Sequence, residues 1–128
     1  LHMMTHCVSL PERDVRLEDE GLEIASLKNI KIIHHFGNTT VRRKLEALKL
    51  ESFTSCMIFA DQAFEMDTMH ADSHSLATLL LIRDTQMTRY DETGIGDAQD
   101  LVLKCPIVCE ILDARTQKTI AGSIDVQH

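Results

Sequence analysis

The stretch over residues 55–84 constrains the fold of this chain more than any other. Residues 55–60 form a short apolar run of strand length, followed by acidic residues. The segment 71–87 reads as a helix that Asp72 or Ser73 can cap, and six of the seven residues at its centre are apolar. A continuously apolar strand, an acidic turn and a buried helix are typical of a βαβ unit in a parallel sheet.

The remaining segments alternate between strands and helices in the same way. Further strands are predicted at 2–9, 29–36 and 107–112, and further helices at 11–20 and 41–50. Residues 88–104 are polar and contain two glycines, which predicts a long loop, and residues 113–128 are polar and weakly patterned. The alternation predicts an α/β fold, with a mostly parallel sheet and flanking helices, in a single domain over residues 1–128.

The Rossmann strand order, 3-2-1-4-5-6, places these strands relative to one another. By this analogy the second to fifth strands are 2–9, 29–36, 55–60 and 107–112. The first strand and its turn are expected to precede Leu1, which is not a start methionine, so the chain is expected to be a piece of a longer protein. The missing first strand would lie between 2–9 and 55–60, so the fragment is expected either to close that gap abnormally or to leave two strand edges unpaired, which is an aggregation hazard.

Composition narrows the class of protein. With 44% apolar and 26% charged residues among 128, the chain is expected to be globular and not disordered. Its core is expected to have Leu79 and Ile82 facing the sheet, with Ile58 beneath them. A net charge of −7 argues against a nucleic-acid partner, because such surfaces are basic. No apolar run approaches the roughly 20 residues needed to span a bilayer, and no secretory signal is visible.

Four cysteines are present, and none forms a C-x-x-C pair. Three of them, Cys7, Cys56 and Cys109, lie among apolar residues in strand-like runs, whereas Cys105 precedes a proline. Buried free thiols in a reducing compartment are the expected state. The alternative is a disulfide or zinc framework.

Four acidic residues, Asp61, Glu65, Asp67 and Asp72, cluster between the third strand and the long helix. Open α/β sheets place their ligand sites at the carboxyl ends of parallel strands, where this cluster begins. Carboxylate oxygens are ligands for a hard cation such as Ca²⁺, although the spacing is not that of an EF-hand. The alternative is a solvated acidic loop.

Other motifs carry less chemistry. His70 and His74 share a helix face, which fits either a zinc site or a solvated helix start. His34 and His35 alternate across a strand and are not expected to share a ligand. Gly94 and its neighbours lack the third glycine of a dinucleotide fingerprint, so no nucleotide cofactor is predicted. No nucleophile elbow is visible, and no serine or cysteine is placed beside a general base in a recognisable pattern. The chain is therefore not expected to be an enzyme.

Several stretches resemble the CASTOR/POLLUX ion channels. The matching residues are 42–55, 58–61, 71–84 and 110–116. The family consists of tetrameric cation channels, best known in plant nuclear envelopes, where they support calcium signalling with root symbionts. Their soluble part contains RCK domains, which are Rossmann-like modules that regulate the pore and can bind Ca²⁺.

The resemblance implies that this chain is a fragment of such a regulatory domain. It would act without catalysis, assemble as a homotetramer through RCK domains, and work on the pore domain of the same chain. Its location would then be that of a soluble domain of a nuclear-envelope membrane protein. The alternatives are a fragment of a nucleotide-binding Rossmann enzyme, which a glycine fingerprint upstream would distinguish, and a degenerate relative that gates nothing.

Overall fold

A computed structural model describes residues 1–5, 9–60, 67–93, 100 and 103–126. The strands are β1 (His2–Thr5), β2 (Ile33–Phe36), β3 (Cys56–Ile58) and β4 (Ile107–Cys109). The α-helices are α1 (Leu10–Asp19), α2 (Arg42–Glu46), α3 (Thr68–Thr93) and α4 (Ala114–Val126), and short 3₁₀ helices lie at Ile24–Ser26 and Leu50–Ser52. The chain divides into two compact units, Leu1–Lys44 and Leu45–His128. Within the described ranges, no helix has the length and apolar character needed to cross a bilayer.

In the first unit, β1 and β2 pair in parallel, with His2 opposite Ile33 and Thr5 opposite Phe36. The helix predicted at 11–20 is confirmed as α1. The Glu12 carboxylate accepts hydrogen bonds from the backbone N–H and the hydroxyl of Ser9, which fixes the start of α1. The helix is followed by Gly21, whose φ of +95° lies in the region that favours glycine.

In the second unit, β3 and β4 pair in parallel, with Cys56 opposite Ile107 and Ile58 opposite Cys109. Helix α3 contacts both strands and the 3₁₀ helix at Leu50–Ser52. The buried apolar residues of this unit are Leu45, Leu50, Ile58, Ala71, Ile82 and Cys105. The expected burial of Ile58 and Ile82 is confirmed, whereas Leu79 is only partly buried.

The buried stripe of α3 is largely polar. Its members, at helical spacing, are Ala71, Asp72, Ser75, Thr78, Ile82, Thr85 and Gln86. Within the apolar run at the centre of the helix, Leu80 is 68% exposed. Small and hydrogen-bonding side chains at the contact face therefore position α3 on its sheet, and the leucines do not all serve the core.

Two predictions about element bounds are wrong. The predicted loop at 88–104 begins as helix, because α3 continues to Thr93, and Leu103 is also helical. Residues 94–99, 101 and 102 of this prediction lie outside the described residues. The predicted caps Asp72 and Ser73 lie inside α3. Its first turn is capped by Asp67, which accepts the His70 N–H at 3.1 Å.

The segment at 113–128, where no element was predicted, contains α4. Asp113 immediately precedes this helix, and its Oδ1 accepts the Arg115 N–H at 2.8 Å. An aspartate in this position satisfies one of the orphan donors of the first turn. The cap signal was present in the sequence but is short and local.

The two parallel pairs agree with the expected strand order, in which 2–9 neighbours 29–36 and 55–60 neighbours 107–112. Each pair is joined through intervening helical segments, as parallel strands require. The chain is therefore a mixed α/β structure of the kind expected for an incomplete Rossmann-like domain.

Candidate functional site

The carboxyl ends of β3 and β4 are tied together by Glu110. Its backbone N–H donates to the Ile58 carbonyl at 2.8 Å, continuing the ladder one residue beyond β4. Its side-chain Oε2 accepts the Ala60 N–H, also at 2.8 Å. The strand end that precedes the acidic segment is thereby held by a carboxylate from the neighbouring strand.

Asp72 ties helix α3 to the segment between β4 and α4. Its side chain is 1% exposed, and its two oxygens accept the backbone N–H groups of Leu112 at 2.8 Å and Asp113 at 3.0 Å. Hydrogen bonds to a carboxylate are among the stronger ones in proteins. The buried carboxylate thus fixes one turn of α3 against the start of α4.

Asp67 is exposed and lies at the start of α3, where its carboxylate caps the helix. It lines an open surface depression together with Met69, His70, Ser73 and His74. His70 and His74 thus lie on the same side of the helix, as their spacing predicts. Across the described ranges, no three histidine, cysteine, aspartate or glutamate side chains are grouped to hold a metal ion.

The predicted cation site is described only in part. Asp61 and Glu65 lie outside the described residues, so the structure places Asp67 and Asp72 alone. These two have separate roles, one as a helix cap and one as a buried clamp. Asp72 turns both oxygens toward backbone donors, which makes it less available to a cation than the exposed Asp67.

Cys109, at the end of β4, lies in an acidic environment. Burial raises the pKa of its thiol, and the charges of Asp72 and Glu110 raise it further, because a thiolate there would face two carboxylates. Sequence reasoning had not assigned Glu110 or Cys109 to the site. Ligand sites are expected at the carboxyl ends of parallel strands, and these ends lie on one edge of the sheet. The argument that selected the end of β3 therefore applies equally to the end of β4.

Asp113 forms an ion pair with Arg115, with 2.8 Å between Oδ2 and Nη2. The side-chain hydrogen bond from Arg115, followed by its backbone hydrogen bond, lowers the pKa of Asp113 to about 2. Because the folded pKa lies below the unfolded one, the group adds stability above about pH 4 and loses it as the pH falls toward 2.

We therefore expect the Asp113 carboxyl carbon to titrate near pH 2 in an NMR experiment. Replacing Arg115 by glutamine should move that midpoint upward, toward the ordinary aspartate value of about 3.9. Arg89→Gln, on the exposed surface of α3, is the matched control. An unchanged midpoint in Arg115→Gln would show that the pair does not form in solution.

The first unit has a polar cluster of its own around β1 and β2. His2 Nδ1 and His35 Nε2 lie 2.8 Å apart, and His34 Nε2 lies 2.9 Å from Asp14 Oδ1. Burial, followed by the charges of His2, Arg13 and His34, lowers the pKa of His35. His34 and His35 thus contact different side chains, Asp14 and His2 respectively.

No protein-family model matches the chain. The probable ion channel POLLUX of Arabidopsis thaliana is 41% identical over 88% of this chain. The ion channel CASTOR of Lotus japonicus and the ion channel DMI1 of Medicago truncatula are also 41% identical over 88% of it.

This chain spans only a small part of each relative. It covers 16% of the Arabidopsis protein, 15% of the Lotus protein and 14% of the Medicago protein. The identity extends over nearly all of this chain and recurs in channels from several plants, which confirms the resemblance seen in the residues. The chain is therefore similar in sequence to one segment of the CASTOR/POLLUX ion channels.

Proposed function

We propose that this chain is a regulatory segment that controls gating in a CASTOR/POLLUX-type cation channel. The observation that carries the proposal is the 41% identity to named ion channels over 88% of the chain. The mixed α/β fold is of a kind that binds ligands at strand ends. In this proposal the chain is an RCK-like module without catalysis, assembles as a homotetramer, and acts on the pore domain at the nuclear envelope.

The ligand in this proposal is Ca²⁺, bound by the acidic segment after β3. Asp61, Glu65 and Asp67 supply hard oxygen ligands, and water completes the coordination shell. Asp67 supports the proposal because it is exposed at the amino end of α3. Its carboxylate keeps further acceptor sites while it caps the helix, since an ionised carboxylate has about four.

Asp72 provides the mechanical link in this scheme. A cation that is bound by Asp67 together with Asp61 and Glu65 also holds the cap of α3 and so fixes the first turn of that helix. Through Asp72 the same part of α3 holds the backbone at Leu112 and Asp113, where α4 begins. A local ligand is thus coupled to a helix boundary more than 40 residues further along the chain by two hydrogen bonds.

Titration calorimetry with Ca²⁺ tests the ligand. The complete chain should bind with a dissociation constant of about 10⁻⁵ M or weaker, and the double variant Asp61→Asn with Asp67→Asn should lose most of the signal. Asp91→Asn, an exposed carboxylate near the other end of α3, is the matched control for lost charge. Mg²⁺ at equal ionic strength controls for screening of the −7 net charge.

Equal Ca²⁺ responses in the wild type and the double variant, or a Mg²⁺ response of the same size, would rule out the site. Gating is tested separately, by recording currents of the full-length channel with the same substitutions. If Ca²⁺ dependence of the open probability survives the double variant, the segment does not sense the gating cation. If deleting the whole segment leaves gating unchanged, the regulatory role itself is wrong.

A further inference from the structure

Two thiols lie close together at the amino ends of β3 and β4. The Sγ atoms of Cys56 and Cys105 are 3.9 Å apart, although the residues are 49 positions apart in the chain. The parallel register pairs Cys56 with Ile107, and Cys105 lies two residues before Ile107, just outside β4. The Cys56 N–H donates to the Pro106 carbonyl at 3.0 Å, which holds the two segments together.

The surroundings hold this pair in place. Cys105 is 1% exposed, and its Sγ accepts a hydrogen bond from the fully buried Gln86 amide at 3.3 Å. The same Gln86 nitrogen donates to the Leu50 carbonyl at 3.2 Å, so α3 fixes Cys105 against the 3₁₀ helix. Cys56 is less buried than Cys105 and is the sulfur that solvent reaches more easily.

We propose that Cys56 and Cys105 form a reversible disulfide that joins β3 to the start of β4. A disulfide requires an S–S distance of about 2.05 Å, so the two Sγ atoms, which are 3.9 Å apart as free thiols, must approach each other by about 1.9 Å. This inference goes beyond the proposed function, since it needs no cation and no pore.

The reaction balances with a small disulfide such as oxidised glutathione as the oxidant. The Cys56 thiolate attacks one glutathione sulfur, which breaks the glutathione S–S bond and forms a mixed disulfide. The Cys105 thiolate then attacks Cys56 Sγ and displaces the second glutathione. Two electrons pass from the two thiols to the oxidant, and the two thiol protons end on two molecules of reduced glutathione.

Oxidation of Cys56 and Cys105 is expected to be slow at neutral pH. Burial, followed by the neighbouring Cys105, raises the pKa of the Cys56 thiol to about 12. Because only the thiolate attacks, oxidation should be slow at neutral pH and should become faster as the pH rises.

The test uses the complete chain with two thiols left. In the Cys7→Ser, Cys109→Ser variant only Cys56 and Cys105 remain. The matched control is Cys7→Ser, Cys105→Ser, which keeps Cys56 and a thiol on the same neighbouring strand at Cys109. Both are equilibrated with reduced and oxidised glutathione, quenched with acid, and measured by intact mass, and circular dichroism checks that both are folded.

The quantity to compare is the ratio [GSH]²/[GSSG] at which half of the protein carries the internal disulfide. This ratio should be at least tenfold higher for the Cys56/Cys105 variant than for the control variant. Its disulfide should also raise the melting temperature by about 5–15 °C. An equal or lower ratio than the control, or glutathione adducts in place of the internal bridge, would overturn the proposal.

The wild type provides a second measurement if a variant fails to fold. Trypsin releases residues 50–83 with Cys56 and residues 105–115 with both Cys105 and Cys109. Fragmentation of the linked peptides then shows which of these two cysteines is bridged. A bridge to Cys105 supports the proposal, and a bridge to Cys109 or Cys7 contradicts it.

Discussion

Replacing Asp72 by alanine is expected to lower the free energy of unfolding by about 2–4 kcal/mol. The carboxylate is 1% exposed and is the acceptor for two backbone N–H groups, at Leu112 and Asp113. Its removal leaves both donors without that acceptor in a partly buried region and also removes the tie between α3 and the start of α4. Urea denaturation followed by circular dichroism measures the loss.

Two companion variants separate this role from a change of net charge. Asp72→Asn keeps one oxygen acceptor and should lose less stability than Asp72→Ala, because only one of the two N–H groups then faces an amide nitrogen. Asp91→Ala removes an exposed carboxylate from the same helix and should stay within about 0.5 kcal/mol of the wild type. Equal losses in Asp72→Ala and Asp91→Ala would show that the clamp contributes nothing.

Replacing Ile82 by alanine is expected to cost about 2–4 kcal/mol of unfolding free energy. Ile82 is 7% exposed on the contact face of α3, within the unit whose core also contains Ile58 and Leu50. Truncation removes three methyl or methylene groups from water-free surroundings and leaves a cavity. The measurement is again the urea denaturation midpoint. If the dependence of the unfolding free energy on urea concentration is unchanged, a shift of the midpoint reports a change in stability.

The control lies two residues earlier on the same helix. Leu80 is 68% exposed, so Leu80→Ala should change stability by no more than about 0.5 kcal/mol. Leu79, which was expected to face the sheet fully, is partly buried and should fall between the two. If Leu80→Ala proves as costly as Ile82→Ala, the face of α3 that packs on the sheet has been assigned to the wrong side.

Only part of the candidate site could be predicted from local patterns in the sequence. The acidic residues after β3 were found because an apolar strand-length run ends there, and this boundary is visible locally. The role of Asp72 was not visible, since its partners at Leu112 and Asp113 are about 40 residues away in the chain. Sequence alone therefore placed a carboxylate near the strand end but could not tell a ligand from a structural acceptor.

The sequence by itself determined the α/β alternation, the helix at 11–20 with its glycine stop, and the pairing of strands. These features depend on periodicity, turn residues and strand order, all of which act over short distances or follow general rules. The tertiary structure decided which face of α3 is buried. Nearly every residue from Leu76 to Ile82 is apolar, so hydrophobicity gave no contrast between faces, and the choice fell to Asp72, Gln86 and the contacts that they make across the sheet.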